Sequence, residues 1–83
     1  PASPQEAGVI HQALRQALCE LFGHETGTRI PLLYGGSVTL QNAVELLRQQ
    51  EINGLFIGRA AWDAQGYCDI VQRVTQEFIL QAQ

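Results

Sequence analysis

Two short, nearly continuous apolar runs, Ile30-Pro31-Leu32-Leu33-Tyr34 and Leu55-Phe56-Ile57, each stop at a glycine, and they constrain this chain most. Runs of this length and composition suit strands buried on both faces, as in a parallel sheet. Pro31 is tolerated because the first residue or two of a strand can lack a ladder donor. Helical patterns lie around them. Ser3-Pro4-Gln5-Glu6 reads as a capped helix start, and Ile10, Ala13, Leu14, Ala17, Leu18 and Leu21 then make one apolar stripe. Phe22 and Gly23 close that helix, and His24 to Thr28 reads as a polar loop. Thr39 is placed to cap a second helix with Ala43, Leu46 and Leu47 on its apolar face. Arg59 to Trp62 is too short for a regular element; Asp63 then caps a third helix striped by Tyr67, Ile70, Val71, Val74 and Phe78. The order α-β-α-β-α implies βα units, two parallel strands and a right-handed crossover. Two parallel strands are not a sheet that stands alone, so their open edges call for more strands.

Charge narrows the function. The net charge is −3, and the five cations are all arginines, dispersed at 15, 29, 48, 59 and 73. That pattern offers no footprint for nucleic acid or for an anionic membrane. Without a lysine, the chain alone supports no Schiff base and no P-loop. The longest apolar stretches fall far short of a bilayer span, and Pro1 to Gly8 have neither the basic start nor the apolar centre of a signal peptide. Cys19 and Cys68 form no closely spaced motif; they read as buried filler in a reducing, cytoplasmic compartment. No cluster of His, Cys and Asp has ligand spacing, so neither a metal nor another cofactor is expected. Glu45, Glu51, Asp69 and Glu77 read as solvated, and His11 and His24 as packing or surface residues.

The remaining chemistry sits in two corners, Tyr34-Gly35-Gly36-Ser37 and Ile57-Gly58-Arg59. Ligands of α/β folds lie at the carboxyl ends of strands. Glycines there let main-chain donors approach an anion, a serine adds a hydroxyl, and a helix starting just after each turn would aim its positive end at the same place. Tight-turn geometry explains the same glycines equally well, and on pattern alone both readings stand.

The blocks Leu33-Tyr34-Gly35-Gly36-Ser37-Val38, Asn42-Ala43, Glu45-Leu46-Leu47, Ile52-Asn53-Gly54 and Ile57-Gly58 resemble the C-terminal third of the triosephosphate isomerase family. Ala2-Ser3-Pro4-Gln5-Glu6-Ala7 is similar to the segment just beyond that family's mobile lid. The resemblance implies that residues 1–83 are part of a (β/α)8 barrel: helix six, strand seven, helix seven, strand eight and helix eight. It implies a sugar-phosphate substrate and a metal-free aldose–ketose isomerisation through an enediolate, chemistry for which this family is itself a standard example. The family's glutamate base, histidine and lysine would all precede Pro1, so no catalytic residue is expected here and the chain alone should be inactive.

What carries over is phosphate holding by Gly36, Ser37, Gly58 and Arg59. Arg59 departs from the family's usual second glycine. Gly58-Arg59-Ala60-Ala61-Trp62 resembles a branch acting on erythrulose phosphates more than the glycolytic enzyme, with Trp62 packing at the barrel mouth. The expected partners are the rest of the barrel, or another copy, on the strand edges, and a homodimeric parent. Two rivals remain: a stand-alone phosphate-binding module, and a purely structural α/β unit whose glycines only make turns.

Overall fold

A computed structural model describes residues 3–80. Its elements are α1 (Pro4–Phe22), α2 (His24–Arg29), β1 (Leu33–Tyr34), α3 (Ala43–Arg48), β2 (Gly54–Leu55) and α4 (Ala64–Thr75). A 3-10 turn, Arg59–Trp62, precedes α4, and a π-type turn, Gln76–Leu80, follows it. The strands pair in parallel, Leu33 opposite Gly54 and Tyr34 opposite Leu55. The α/β order read from the sequence therefore holds, with one helix added. Ala2, which opens the segment likened to the one just beyond the lid, lies outside the described residues, as does Pro1.

The start of α1 follows its local signal. Ser3 Oγ accepts from the Glu6 amide at 3.1 Å, and Glu6 Oε1 accepts from the Ser3 amide at 3.0 Å. The Ser3 amide bonded to the carboxylate, and after it the Ser3 hydroxyl, favour the ionised form and hold the Glu6 pKa below its ordinary value. A pKa lowered by folding stabilises the fold where the group is ionised in both states. The contribution is thus present above the ordinary carboxylate range and fades as pH falls through the lowered value. Replacing Ser3 by alanine keeps its amide and removes only the hydroxyl, so the Glu6 carboxyl should move part of the way back toward its ordinary titration, read by carboxyl-detected NMR. An unmoved titration curve would show that the hydroxyl has no share in the shift.

The polar stretch after Gly23 is a helix, not a loop. Gly23 turns the chain with φ of 90°, in the left-handed region glycine tolerates. Within α2, Thr28 Oγ1 donates to the His24 carbonyl at 2.8 Å, and Arg29 pairs with Glu25 one turn away at 3.0 Å. Gly27 lets α2 lie close against α1: a Cβ there would sit 2.5 Å from the Cys19 Cα. A six-residue helix with no apolar stripe gives periodicity nothing to detect.

The core gathers Ala7, Val38, Ala43, Leu46, Ile52 and Ile70, with Tyr34, Leu55, Ile57 and Val74 packed on it. Burying a leucine such as Leu46 contributes about 2 kcal/mol. Two expectations need correction. The stripe on α1 does not face this core: Ile10, Leu14 and Leu21 are exposed, Leu21 at 74%. Instead α1 buries Ala7, Gly8, His11 and Arg15. Leu33 is likewise exposed, because a two-stranded sheet leaves one face uncovered among the described residues.

Arg15 explains the polar burial. At 8% exposure it donates from Nε to Glu51 Oε1 at 3.0 Å and from Nη2 to Asn53 Oδ1 at 2.9 Å. Its Nη1 reaches the carbonyls of Gly27 at 2.6 Å and Ile30 at 2.5 Å. Asn53 Oδ1 also accepts from the Leu32 amide at 2.8 Å, while His11 Nδ1 lies 3.0 Å from the Glu51 carbonyl. One guanidinium thus ties α1 to the end of α2 and to the approaches of both strands. A buried charge persists only when paired and hydrogen-bonded in this way.

Candidate functional site

Parallel pairing sends both strands the same way, so the two glycine corners emerge together. They wall one cavity of about 360 Å³, lined by Gly35, Gly36, Ser37 and Val38 from the first corner and Phe56, Gly58, Arg59 and Ala60 from the second. All four residues singled out in the sequence, Gly36, Ser37, Gly58 and Arg59, line it.

Local packing shapes the first corner. A Cβ on Gly36 would collide with the Tyr34 hydroxyl and stand 2.5 Å from Tyr34 Cζ, so only glycine passes the ring without a shift. Downstream, the Thr39 amide donates to Asn42 Oδ1 at 2.8 Å, and the Asn42 amide donates to Thr39 Oγ1 at 3.2 Å. Asn42 Nδ2 also donates to the Ser37 carbonyl at 2.8 Å, fixing the exit of the loop. At the second corner a Cβ on Gly58 would meet nothing within 4 Å, so packing does not demand glycine there. The Ala61 amide donates to the Gly58 carbonyl at 3.0 Å and starts the 3-10 turn.

The cavity's electrostatics are simple. No carboxylate lines it, and Arg59 is its only charged residue. Among the described residues, the main-chain amides of Gly36, Ser37, Gly58 and Arg59 donate to no other residue. Unsatisfied main-chain donors gathered beside a cation and away from carboxylates favour an anionic guest.

Helix placement differs from expectation. α3 begins at Ala43, six residues after Ser37, and Gly58 is followed by a single 3-10 turn before α4. The corner residues themselves, rather than the ends of long helices, therefore line the cavity. Asp63 acts as the expected cap of α4, accepting from the Gln65 and Gly66 amides at 3.3 Å. Trp62, expected at the barrel mouth, is 82% exposed among the described residues.

Other assignments sort by burial and pairing. His11 is buried and His24 exposed, both away from the cavity lining. Glu51 is no solvated carboxylate but the partner of Arg15, and Glu77 pairs with Arg48 at 3.0 Å. Cys68 is exposed rather than buried, and Cys19 is half-buried. Phe56 went unnoticed as a wall residue: strand alternation predicts that it and Leu33 share neither the core nor its face with Leu55, and Phe56 is 67% exposed beside the cavity. The Arg15 cluster was also missed. No local signal marks it, since its partners lie 12 to 38 residues away.

No helix among the described residues is long and apolar enough to cross a membrane. The family model described as triosephosphate isomerase matches residues 1–74. An L-erythrulose-1-phosphate isomerase of Rhizobium meliloti is 46% identical over 76 residues, covering 92% of this chain and 28% of the relative. A probable triosephosphate isomerase 2 of Listeria monocytogenes is 48% identical over 78 residues, covering 90% and 30% respectively. The crystal structure of triosephosphate isomerase from Bartonella henselae superposes with a TM-score of 0.79 at 36% identity, covering 87% of this chain and 30% of that one. The chain thus spans somewhat under a third of the length of these relatives.

Proposed function

Since the chain belongs to the triosephosphate isomerase family and forms part of a (β/α)8 barrel, we propose that it is the phosphate-holding part of a sugar-phosphate aldose–ketose isomerase. In this reading residues 1–83 supply helix six through helix eight of the parent barrel, with α2 inside the connection to strand seven. The single observation that carries the reading is the set of four open main-chain donors, at Gly36, Ser37, Gly58 and Arg59, on one cavity without a carboxylate. Active sites of such barrels sit at the carboxyl ends of the strands, where these corners lie.

The division of labour follows from what the corners can do. Amide donors hold a non-reacting phosphate equally in substrate and product, so they anchor rather than transform. The binding energy of that remote group can then support orientation at the reacting carbons. Proton transfer between adjacent carbons through an enediolate falls to a base, a histidine and a lysine outside these residues. The substrate is a triose or four-carbon sugar phosphate; the Rhizobium meliloti relative, an L-erythrulose-1-phosphate isomerase, supports the longer one. The rest of the barrel covers the open edges of β1 and β2 and the apolar stripe of α1, the parent being a cytoplasmic homodimer.

The purified 83-residue chain should convert neither glyceraldehyde phosphate nor erythrulose phosphate faster than buffer, in a coupled spectrophotometric assay. Turnover above buffer would overturn the assignment of the chemistry to residues elsewhere. In the full-length barrel, a sugar phosphate should shift the amide NMR signals of Ser37 and Arg59. Signals that stay put at saturating substrate would remove the phosphate site.

A further inference from the structure

Resting on that reading of the cavity, we propose that the Arg59 guanidinium itself grips the bound phosphate, adding a charged side-chain contact to the main-chain amides and setting the site's preference for a dianion. The five arginines are not equivalent. Arg15, Arg29 and Arg48 are each committed to a glutamate at 3.0 Å. Arg73 lies on α4 in a different groove, together with Asp69 and Glu77. Arg59 alone lines the glycine cavity, and among the described residues it has neither an ion-pair partner nor a side-chain hydrogen bond.

An acidic chain of net charge −3 has carboxylates to spare, yet among the described residues none lines this cavity and none pairs with this cation. The guest is therefore the remaining source of compensating charge at this corner. A guanidinium matches it in shape, because its planar fork can donate two parallel hydrogen bonds to two phosphate oxygens. A phosphate monoester carries close to two negative charges at neutral pH, which amides alone answer only in part. Arg59 is adjacent to Gly58, so its own amide and its side chain can serve one anion from a single residue. Its flexible stem also lets the charge follow a longer substrate without moving the turn.

The test uses the full-length barrel carrying these residues, with inorganic phosphate as a competitive inhibitor against its sugar phosphate. Replacing Arg59 by methionine should raise the phosphate inhibition constant about tenfold, the scale of an exposed charge-assisted hydrogen bond. R59K should retain most of the affinity. Added salt should weaken inhibition of the parent more steeply than that of R59M. Should R59M fold poorly, R59G provides the same comparison with the residue usual in the family. An inhibition constant within twofold of the parent in the neutral variant overturns the side-chain contact while leaving the amide site intact. A parent that phosphate does not inhibit at all overturns the site itself.

Discussion

Replacing Arg15 by methionine should lower the unfolding free energy by about 3 kcal/mol, the scale found when one partner of a buried ion pair is removed. The cost arises in what stays behind. Glu51 would keep a partly buried carboxylate without its cation, and the Gly27 and Ile30 carbonyls and Asn53 Oδ1 would each lose a donor. Lysine should recover little, since one ammonium cannot span acceptors on three segments as the planar fork does. Glu51→Gln, which leaves an amide able to accept from Arg15, should cost less than the methionine change. The measurement is the urea midpoint of the full-length barrel followed by circular dichroism. Total stabilities are commonly about 5–15 kcal/mol, so a loss this large is conspicuous. A midpoint shared by R15M and the parent would mean that the fork does not hold the strands.

The second large effect concerns binding. Gly36→Ala should weaken phosphate binding about a hundredfold, because its Cβ would stand 2.5 Å from Tyr34 Cζ and the corner must move. Displacing a positioning group by about 1 Å costs on that order. Tyr34 packs on the core, so its ring cannot simply swing away. Gly36 also carries the chain from the end of β1 to the Ser37 amide, so a shift there would move that donor as well. Shrinking the obstacle tests the cause: Tyr34→Leu in the Gly36→Ala background should regain part of the lost affinity, measured by phosphate inhibition. If the second change recovers nothing, collision with the ring is not the reason for the glycine.

Much of the fold was legible because its signals are local. Ser3, Pro4 and Glu6 act within one turn, and the capping box they predict is present. Asp63 is short-range in the same sense, whereas the N-cap of α3 is Asn42 rather than Thr39, whose Oγ1 accepts from the Asn42 amide just ahead of the helix. The strand runs and their glycines carried the parallel pairing, and pairing alone brought the two corners to one cavity. Legibility ended where partners are distant. Periodicity says that Ile10, Leu14 and Leu21 form a face, but not what covers it, and in this chain the buried face of α1 is the one with His11 and Arg15. Glu51 reads as solvated because its carboxylate meets Arg15 across 36 residues. α2 escaped because turn-length helices held by Thr28 and an Arg29–Glu25 pair carry no stripe. Trp62 was expected to pack at the barrel mouth, and among the described residues it stands 82% exposed.

The strands of this chain are fastened below and used above. The Arg15 cluster sits at their approaches, while the cavity opens beyond their far ends, and the two share no residue. Changes in the upper rim, at Arg59 for example, can therefore proceed without loosening the anchorage beneath. That separation gives a lineage physical room to exchange one sugar for another on an inherited scaffold, with folding held constant while chemistry is tried.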